Sequence, residues 1–565
     1  MPSSGTEPGS PASDRLTPEE RESLAPYVSN LEGGVFVLTR LPEVIKGALF
    51  SRYSRSTLGL RRLLLKEFIQ GHDAEFSALA GSQADRPASG ARHAVAPGGA
   101  PSAVVPGGAP SAIARAQNFY DRILDGYGDD SIGELGGAHV AAEGISMLAA
   151  KAIQDARIGG SPLEKSTRYV SFGQEVNGDF LFCKEPVLMA SRHRDRYLDL
   201  CRALFTAYRE LHEPVAAYIR GVSPQSAEVT ERAWRASVNA RAYDGLRGLL
   251  PAGTLTNMGV FGNGRFFETL LIKLHLAELA ELRGIAQSMQ TELSKVLPSF
   301  IRRADPGHPH FAGFRRHREE QTALLRRLAV GLPESQAGEP GVSLADHDPA
   351  AETKVLAALA YPEGHASLGA CRRWAAALPE RERERILGEL AATRHNRRHK
   401  PPRAAELAVY NFDLVGDVGM YRDLHRHRML TQERQPLTTR LGYEVSADVR
   451  AAGQEPRWRA LMERAAETFE AIAADHPLEA QYAVPMAYRI RWSMTVNLRA
   501  LIWLCELRSQ PQGHPAYRRM AQQLYAAVRG VHPGLATLFR YMDLSTPELG
   551  RLGAEQRQDR KRAGA

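Results

Sequence analysis

The sequence predicts an α+β chain, rich in helix and built from two tandem copies of one unit. Three observations carry that prediction. Most segments place apolar residues at helical spacing, as in "AAEGISMLAAKAIQDA" (141–156), "FFETLLIKLHLAELAELRGIAQSMQTEL" (266–293), "ERERILGELAATRH" (382–395) and "LRALIWLCELR" (498–508). Only a few runs alternate like short strands, chiefly "GAHVAA" (137–142) and "LAVYNFDL" (407–414). The chain also aligns with itself.

The chain has 565 residues, enough for more than one domain, and 43% are hydrophobic, enough for substantial cores. Residues 1–30 read as a flexible leader, its first 14 residues Ser/Pro/Gly-rich and without the apolar run of a signal peptide. Residues 31–305 form a first half. It is interrupted at 82–112 by low-complexity sequence in which "VAPGGAPSAV" and "VVPGGAPSAI" are near-copies. A polar zone at 306–350 reads as a linker, with a short helix at "REEQTALLRRLAVGL". Residues 351–535 form the second half and 536–565 a tail.

The repeat shows in paired spacings. Ten residues separate Glu134 from Gly144, and ten separate Glu406 from Gly416. Twelve separate Pro251 from Asn263, and twelve separate Pro485 from Asn497. Each Asn is followed two residues later by Arg, and then by a helix. The offset between matched positions falls from 272 to 234 residues, so the first half carries about 38 extra residues after Arg168.

Composition narrows the chemistry. The net charge of +8 is diffuse and carried mainly by Arg, whose planar fork suits phosphates and carboxylates. No nucleic-acid-binding module accompanies it. The four cysteines form no CxxC pair, so they read as buried thiols of a cytoplasmic protein rather than a metal or redox motif. No run is long and apolar enough to span a membrane.

Motifs cluster in each half. The first has "GDDSIGEL" (128–135), "EKSTRY" (164–169), "RGLLP" (247–251) and "NGR" (263–265). The second has "RHR" (426–428), "TTR" (438–440), "NLR" (497–499) and "LR" (507–508). This ordered set resembles the flavin-dependent thymidylate synthase family, whose signature is R-H-R followed by E-x-S-x-R.

The resemblance implies a fold of two thymidylate synthase-like units forming a pseudo-dimer. It implies C5 methylation of deoxyuridylate, with methylenetetrahydrofolate giving the carbon, NADPH the electrons and FAD carrying the hydride. No protein cysteine attacks the base in this chemistry. Flavin binding is then expected from Arg426, His427, Arg428, Asn263 and Asn497. Nucleotide binding is expected from Glu164, Ser166, Arg168, Arg247, Arg440 and Arg508. Family subunits form homotetramers, so two tandem chains would make a homodimer equivalent to a tetramer.

The sequence departs from the pattern in both halves. Asp155-Ala156-Arg157 stands for the first R-H-R, Pro436 and Thr438 stand in the second E-x-S, and Leu135 and Leu407 replace a family His. The losses are largely complementary, so the halves are expected to share composite sites. Two other readings stay open: a non-catalytic flavin- or nucleotide-binding homologue, and a C5-methylase of another uridine nucleotide.

Overall fold

The computed structural model describes residues 16–32, 35–53, 56, 58–70, 130–168, 170–333 and 340–563. The insertion expected at 82–112 lies outside them.

Two antiparallel sheets organise the chain. In the first half β1 (Gly137–Ser146) runs into helix α1 (Met147–Gln154) and β2 (Gly160–Glu164) follows. A helical excursion contains a minimal hairpin, β3 (Glu175–Val176) and β4 (Asp179–Phe180), and helix α2 (Glu231–Leu246). The hairpin turns on Asn177 and Gly178, both at positive φ, as a two-residue Asn-Gly turn requires. Then β5 (Leu255–Asn263) leads into α3 (Gly264–His275). The strand order is β1-β5-β2.

The second half repeats this with β7 (Val409–Asp417), α4 (Val418–Leu424), β8 (Leu430–Arg434), β9 (Arg489–Asn497) and α5 (Leu498–Arg508), followed by α6 (Pro515–Val531). Its order is β6-β7-β9-β8, with β6 (Gly341–His347) as an added edge. The central strands alternate: Ile490, Trp492, Met494 and Val496 of β9 are buried, so one face of the pleat meets the core.

Strand-to-helix corners are built alike. Ser146, Asn263, Asp417 and Asn497 each cap a helix by accepting a backbone N–H from three residues on. Glu134 pairs with Arg265 at 2.9 Å, and Glu406 with Arg499 at 3.1 Å.

Matched segments of the halves meet directly. Pro251 bridges Pro485 in antiparallel sense. Around that point Ala252 N–H donates to Val484 O, and Met486 N–H to Leu250 O, both at 2.9 Å. The corners dock on the same seam: Leu148 N–H donates to Ala252 O, and Gly419 N–H to Met486 O.

Several expectations change. The helix expected over 141–156 begins only at Met147, because β1 continues to Ser146 through a bulge between Ala142 and Ile145. Gly144 sits in that bulge at positive φ, so Ile145 is the register counterpart of Gly416; the Gly–Gly match is off by one. The helix expected over 266–293 is broken into Gly264–His275 and Ala280–Leu293. Residues expected in a flexible leader include the helix Pro18–Leu24, closed by a Thr17–Glu20 capping box and burying Leu24. The linker range holds a helix at Pro309–Ala329 and strand β6, which pairs with β7. The tail range holds helix Leu552–Ala563, tied to α2 by Arg232 with Asp559 and Glu555.

Candidate functional site

The seam brings polar groups from both halves into one buried cluster. Its centre is Glu164, at the end of β2. Arg422 of α4 donates through Nη2 to Glu164 Oε1. Lys151 Nζ lies 3.5 Å and Arg426 Nη2 3.6 Å from Glu164 Oε2, and Gln154 Nε2 donates to that oxygen at 3.1 Å. Burial alone would raise the Glu164 carboxyl. Arg422, Lys151 and Arg426 outweigh it and bring it down to about 2. The same burial pushes the Lys151 ammonium down to about 7, against the pull of Glu164.

Next to it sits Arg168, held by both oxygens of Asp244 at 2.5 and 2.7 Å. Such a paired fork fixes the plane of the guanidinium. Its remaining groups donate to Tyr517 Oη at 2.9 Å and Gln512 O at 3.0 Å in the second half. The Tyr517 ring lies 5.7 Å from the Arg168 guanidinium and 5.4 Å from that of Arg508. Ser166 Oγ accepts the Arg168 N–H at 3.2 Å.

Arg247 donates through Nη1 to Asp423 Oδ2 at 2.9 Å. Burial would raise Asp423, but Arg247, Arg426, Arg508 and Arg168 hold it well below the usual carboxylate range. Arg508 Nε donates to His427 Nε2 at 3.0 Å. His427 can accept because burial, then Arg508, hold its ring neutral. His514 is kept neutral to about 3, mainly by burial and then by Arg247; its Nε2 faces Asp244 O at 3.1 Å.

Lys151, Arg168, Arg247, Arg422, Arg426 and Arg508 outnumber Glu164, Asp244, Asp423 and Asp417, the last a buried carboxyl beside Arg247. Arg247 Nη2 and Arg422 Nε are buried without a hydrogen-bond partner. A buried unpaired donor is costly, so these two groups suit an incoming anion. Through Arg426 and Arg508 the cluster borders a cleft of about 380 Å³, which His427, Arg428, Asn497 and Trp503 also line. That volume lies within the usual range for small-molecule sites. Arg428 reaches back to the first half, donating to Gly160 O and, at 3.1 Å, to Ser161 Oγ.

The structure thus gathers Glu164, Ser166, Arg168, Arg247, Arg426, His427, Arg428, Asn497 and Arg508. It does not gather Arg440, which is exposed and pairs with Glu470. The reason is register. Glu164 pairs with Met258 in the first sheet, and Arg434 with the matching Trp492 in the second. The counterpart of Arg168 is therefore Thr438, two residues short of Arg440. Asn263 is also elsewhere: it caps α3 beside Gly159.

Sequence reasoning missed Lys151, Arg422, Asp423, Asp244, His514 and Tyr517. A charged residue within an otherwise apolar helix was the available signal for the first three.

The described residues contain no group of His, Cys, Asp and Glu that could hold a metal, and no helix long and apolar enough to cross a membrane. Cys201, Cys371 and Cys505 are buried and Cys183 partly so, all as free thiols.

A family model described as thymidylate synthase complementing protein matches the chain twice, at residues 94–299 and 343–534. The chain is 45% identical over 548 residues to a UPF0159 protein of Chlamydia muridarum, covering 96% of this chain and 98% of that one. It is 43% identical over 548 residues to a UPF0159 protein of Chlamydia pneumoniae, covering 97% and 98%. A UPF0159 protein of Thermoplasma acidophilum is 34% identical over 476 residues, covering 80% and 93%.

Proposed function

The chain belongs to the thymidylate synthase complementing protein family, and we propose that it methylates deoxyuridylate at C5 at a single site shared by its two halves. In this reading methylenetetrahydrofolate and NADPH are co-substrates and FAD is the cofactor. When bound, FAD supplies hydride transfer; the protein supplies binding, orientation and electrostatics.

One observation carries the proposal. Arg168 and Arg247 of the first half and Arg508 and the Arg426-His427-Arg428 triplet of the second converge on one cluster, although up to 340 residues separate Arg168 from Arg508 in sequence. Arg168, Arg247 and Arg508 take the nucleotide phosphate. Asp244 and Asp423 hold the first two in place before it arrives, which lowers the entropic cost of binding. Glu164, kept ionised, orients Arg422 and Arg426. The adjoining cleft takes the flavin, with Asn497 and Arg428 on its wall. Arg440 and Asn263 have no part in this site.

The halves act as a pseudo-dimer, and two chains would complete the four-unit assembly that the family resemblance implies.

Two observations favour a second reading, a non-catalytic flavin- or nucleotide-binding homologue: Arg168 already directs its fork to Asp244, Tyr517 and Gln512, and Leu407 replaces the family His. Absorbance spectra of the purified chain with FAD, and then with deoxyuridylate or another uridine nucleotide, test the proposal. Flavin bands that shift with deoxyuridylate, followed by thymidylate formation on adding the co-substrates, support methylation. Bands without product support the second reading.

A further inference from the structure

The register of the two sheets makes the halves comparable residue by residue. Asp155 follows the cap Ser146 by nine residues, as Arg426 follows the cap Asp417. Asp155 is thus the counterpart of Arg426, and Arg434 the counterpart of Glu164. The two places that carry an Arg and a Glu in the shared site carry an Asp and an Arg in its mirror image. The charge is reversed at both.

Apart from Arg157 at the place of Arg428 and Asn263 at that of Asn497, the mirror site has lost its anion-holding groups and the carboxylate that supports one of them. Thr438 stands for Arg168, Gln481 for Arg247, Leu274 for Arg508 and Leu478 for Asp244. The Gln481 side-chain oxygen is taken by the Leu437 N–H at 3.1 Å.

Asp155 has a different partner. Its Oδ1 meets Nε2 of His425, a buried residue that ends α4 and directly precedes Arg426. Its Oδ2 lies 3.9 Å from Lys273 Nζ, which also donates to Ala152 O at 3.0 Å. The triplet segment is consequently pinned to one short stretch of the first half: His425 on Asp155, Arg426 on Glu164, and Arg428 on Gly160 and Ser161.

We propose that the lost site now serves the surviving one: Asp155 is a positioning residue that, through His425, sets the Arg426-His427-Arg428 segment against the first half. The ligand side of this inference rests on the flavin-site reading above.

The test uses the full chain with Asp155→Asn, Asp155→Glu, His425→Gln and the double variant Asp155→Asn/His425→Gln. Two quantities are read: hydrogen exchange of amides 425–429 without ligand, and the FAD dissociation constant from absorbance. Asp155→Asn should speed exchange at 425–429 and weaken FAD binding about tenfold, as for one part-buried charge-assisted hydrogen bond. Asp155→Glu should restore most of both, and the double variant should be no worse than either single change. If Asp155→Asn fails to fold, His425→Gln carries the same test from the other partner. Wild-type exchange in both single variants, or losses that add in the double variant, would overturn the inference. A wild-type chain that binds no FAD would instead sink the flavin-site reading and leave the exchange result to decide this one.

Discussion

Pro251 and Pro485 face each other across an antiparallel bridge, and each stands twelve residues before the Asn that caps the next helix of its own half. Equivalent residues of a duplicated chain therefore meet at one seam. The polar cluster lies on that seam, so its integrity depends on how closely the halves approach.

Gly248 tests the closeness. A Cβ there would meet the buried Trp458 ring at 2.8 Å and Ala487 Cβ at 3.1 Å. Gly248→Val should destabilise the chain by about 1–3 kcal/mol, the usual range for overpacking, as measured by urea unfolding. An unchanged midpoint would mean that the seam can open at little cost.

The two helix-capping asparagines separate structure from binding. Asn263→Ala and Asn497→Ala should each cost about 1 kcal/mol in stability through the lost cap. Only Asn497 borders the cleft beside the triplet. FAD titration should therefore show weaker binding for Asn497→Ala alone; equal weakening in both variants would move the flavin elsewhere.

Arg440 and Arg168 make a second contrast. Arg440→Ala removes an exposed pair and should change stability by less than about 1 kcal/mol, with nucleotide binding intact. Arg168→Ala leaves Asp244 buried and unpaired, at a cost of about 3–5 kcal/mol. Differential scanning calorimetry and deoxyuridylate titration together read both effects.

Acid sensitivity follows from His514. Burial, then Arg247, hold its folded pKa at about 3, against 6.5 for the free side chain. As pH falls through 6.5 the unfolded chain binds a proton that the folded chain refuses, so stability is lost. Protonation would also remove the Nδ1 acceptor that caps α6 at Ala516 N–H. The loss should be clearest between about pH 6.5 and 5, where carboxylates stay ionised. His514→Asn should make the stability curve less steep there, while His427, also held neutral by burial, keeps part of the slope; an unchanged slope would assign the acid loss to other groups.

Much of this architecture was legible in the sequence, and the failures have physical causes. Strands at 137–142 and 407–414 and the helix at 498–508 showed because alternation and helical spacing are local signals. The boundary at Ser146 was hidden because Gly144 and the bulge let an apolar strand run straight into an apolar helix. Arg168 and Arg247 were readable from motif order. Their partners Asp244 and Asp423 were not, because one lies 76 residues from Arg168 and the other 176 from Arg247. Thr438-Thr439-Arg440 imitates Ser166-Thr167-Arg168 two residues out of register, and only strand pairing, which sets Arg440 outside the cluster, separates them.

The measurement that tests the shared site most directly is the stoichiometry of FAD and deoxyuridylate binding by titration, in the wild-type chain and in Arg168→Ala and Arg428→Ala. The account predicts one of each ligand per chain, nucleotide binding lost in the first-half variant and flavin binding lost in the second-half variant. Two ligands per chain, or full binding of both ligands by either variant, would contradict it.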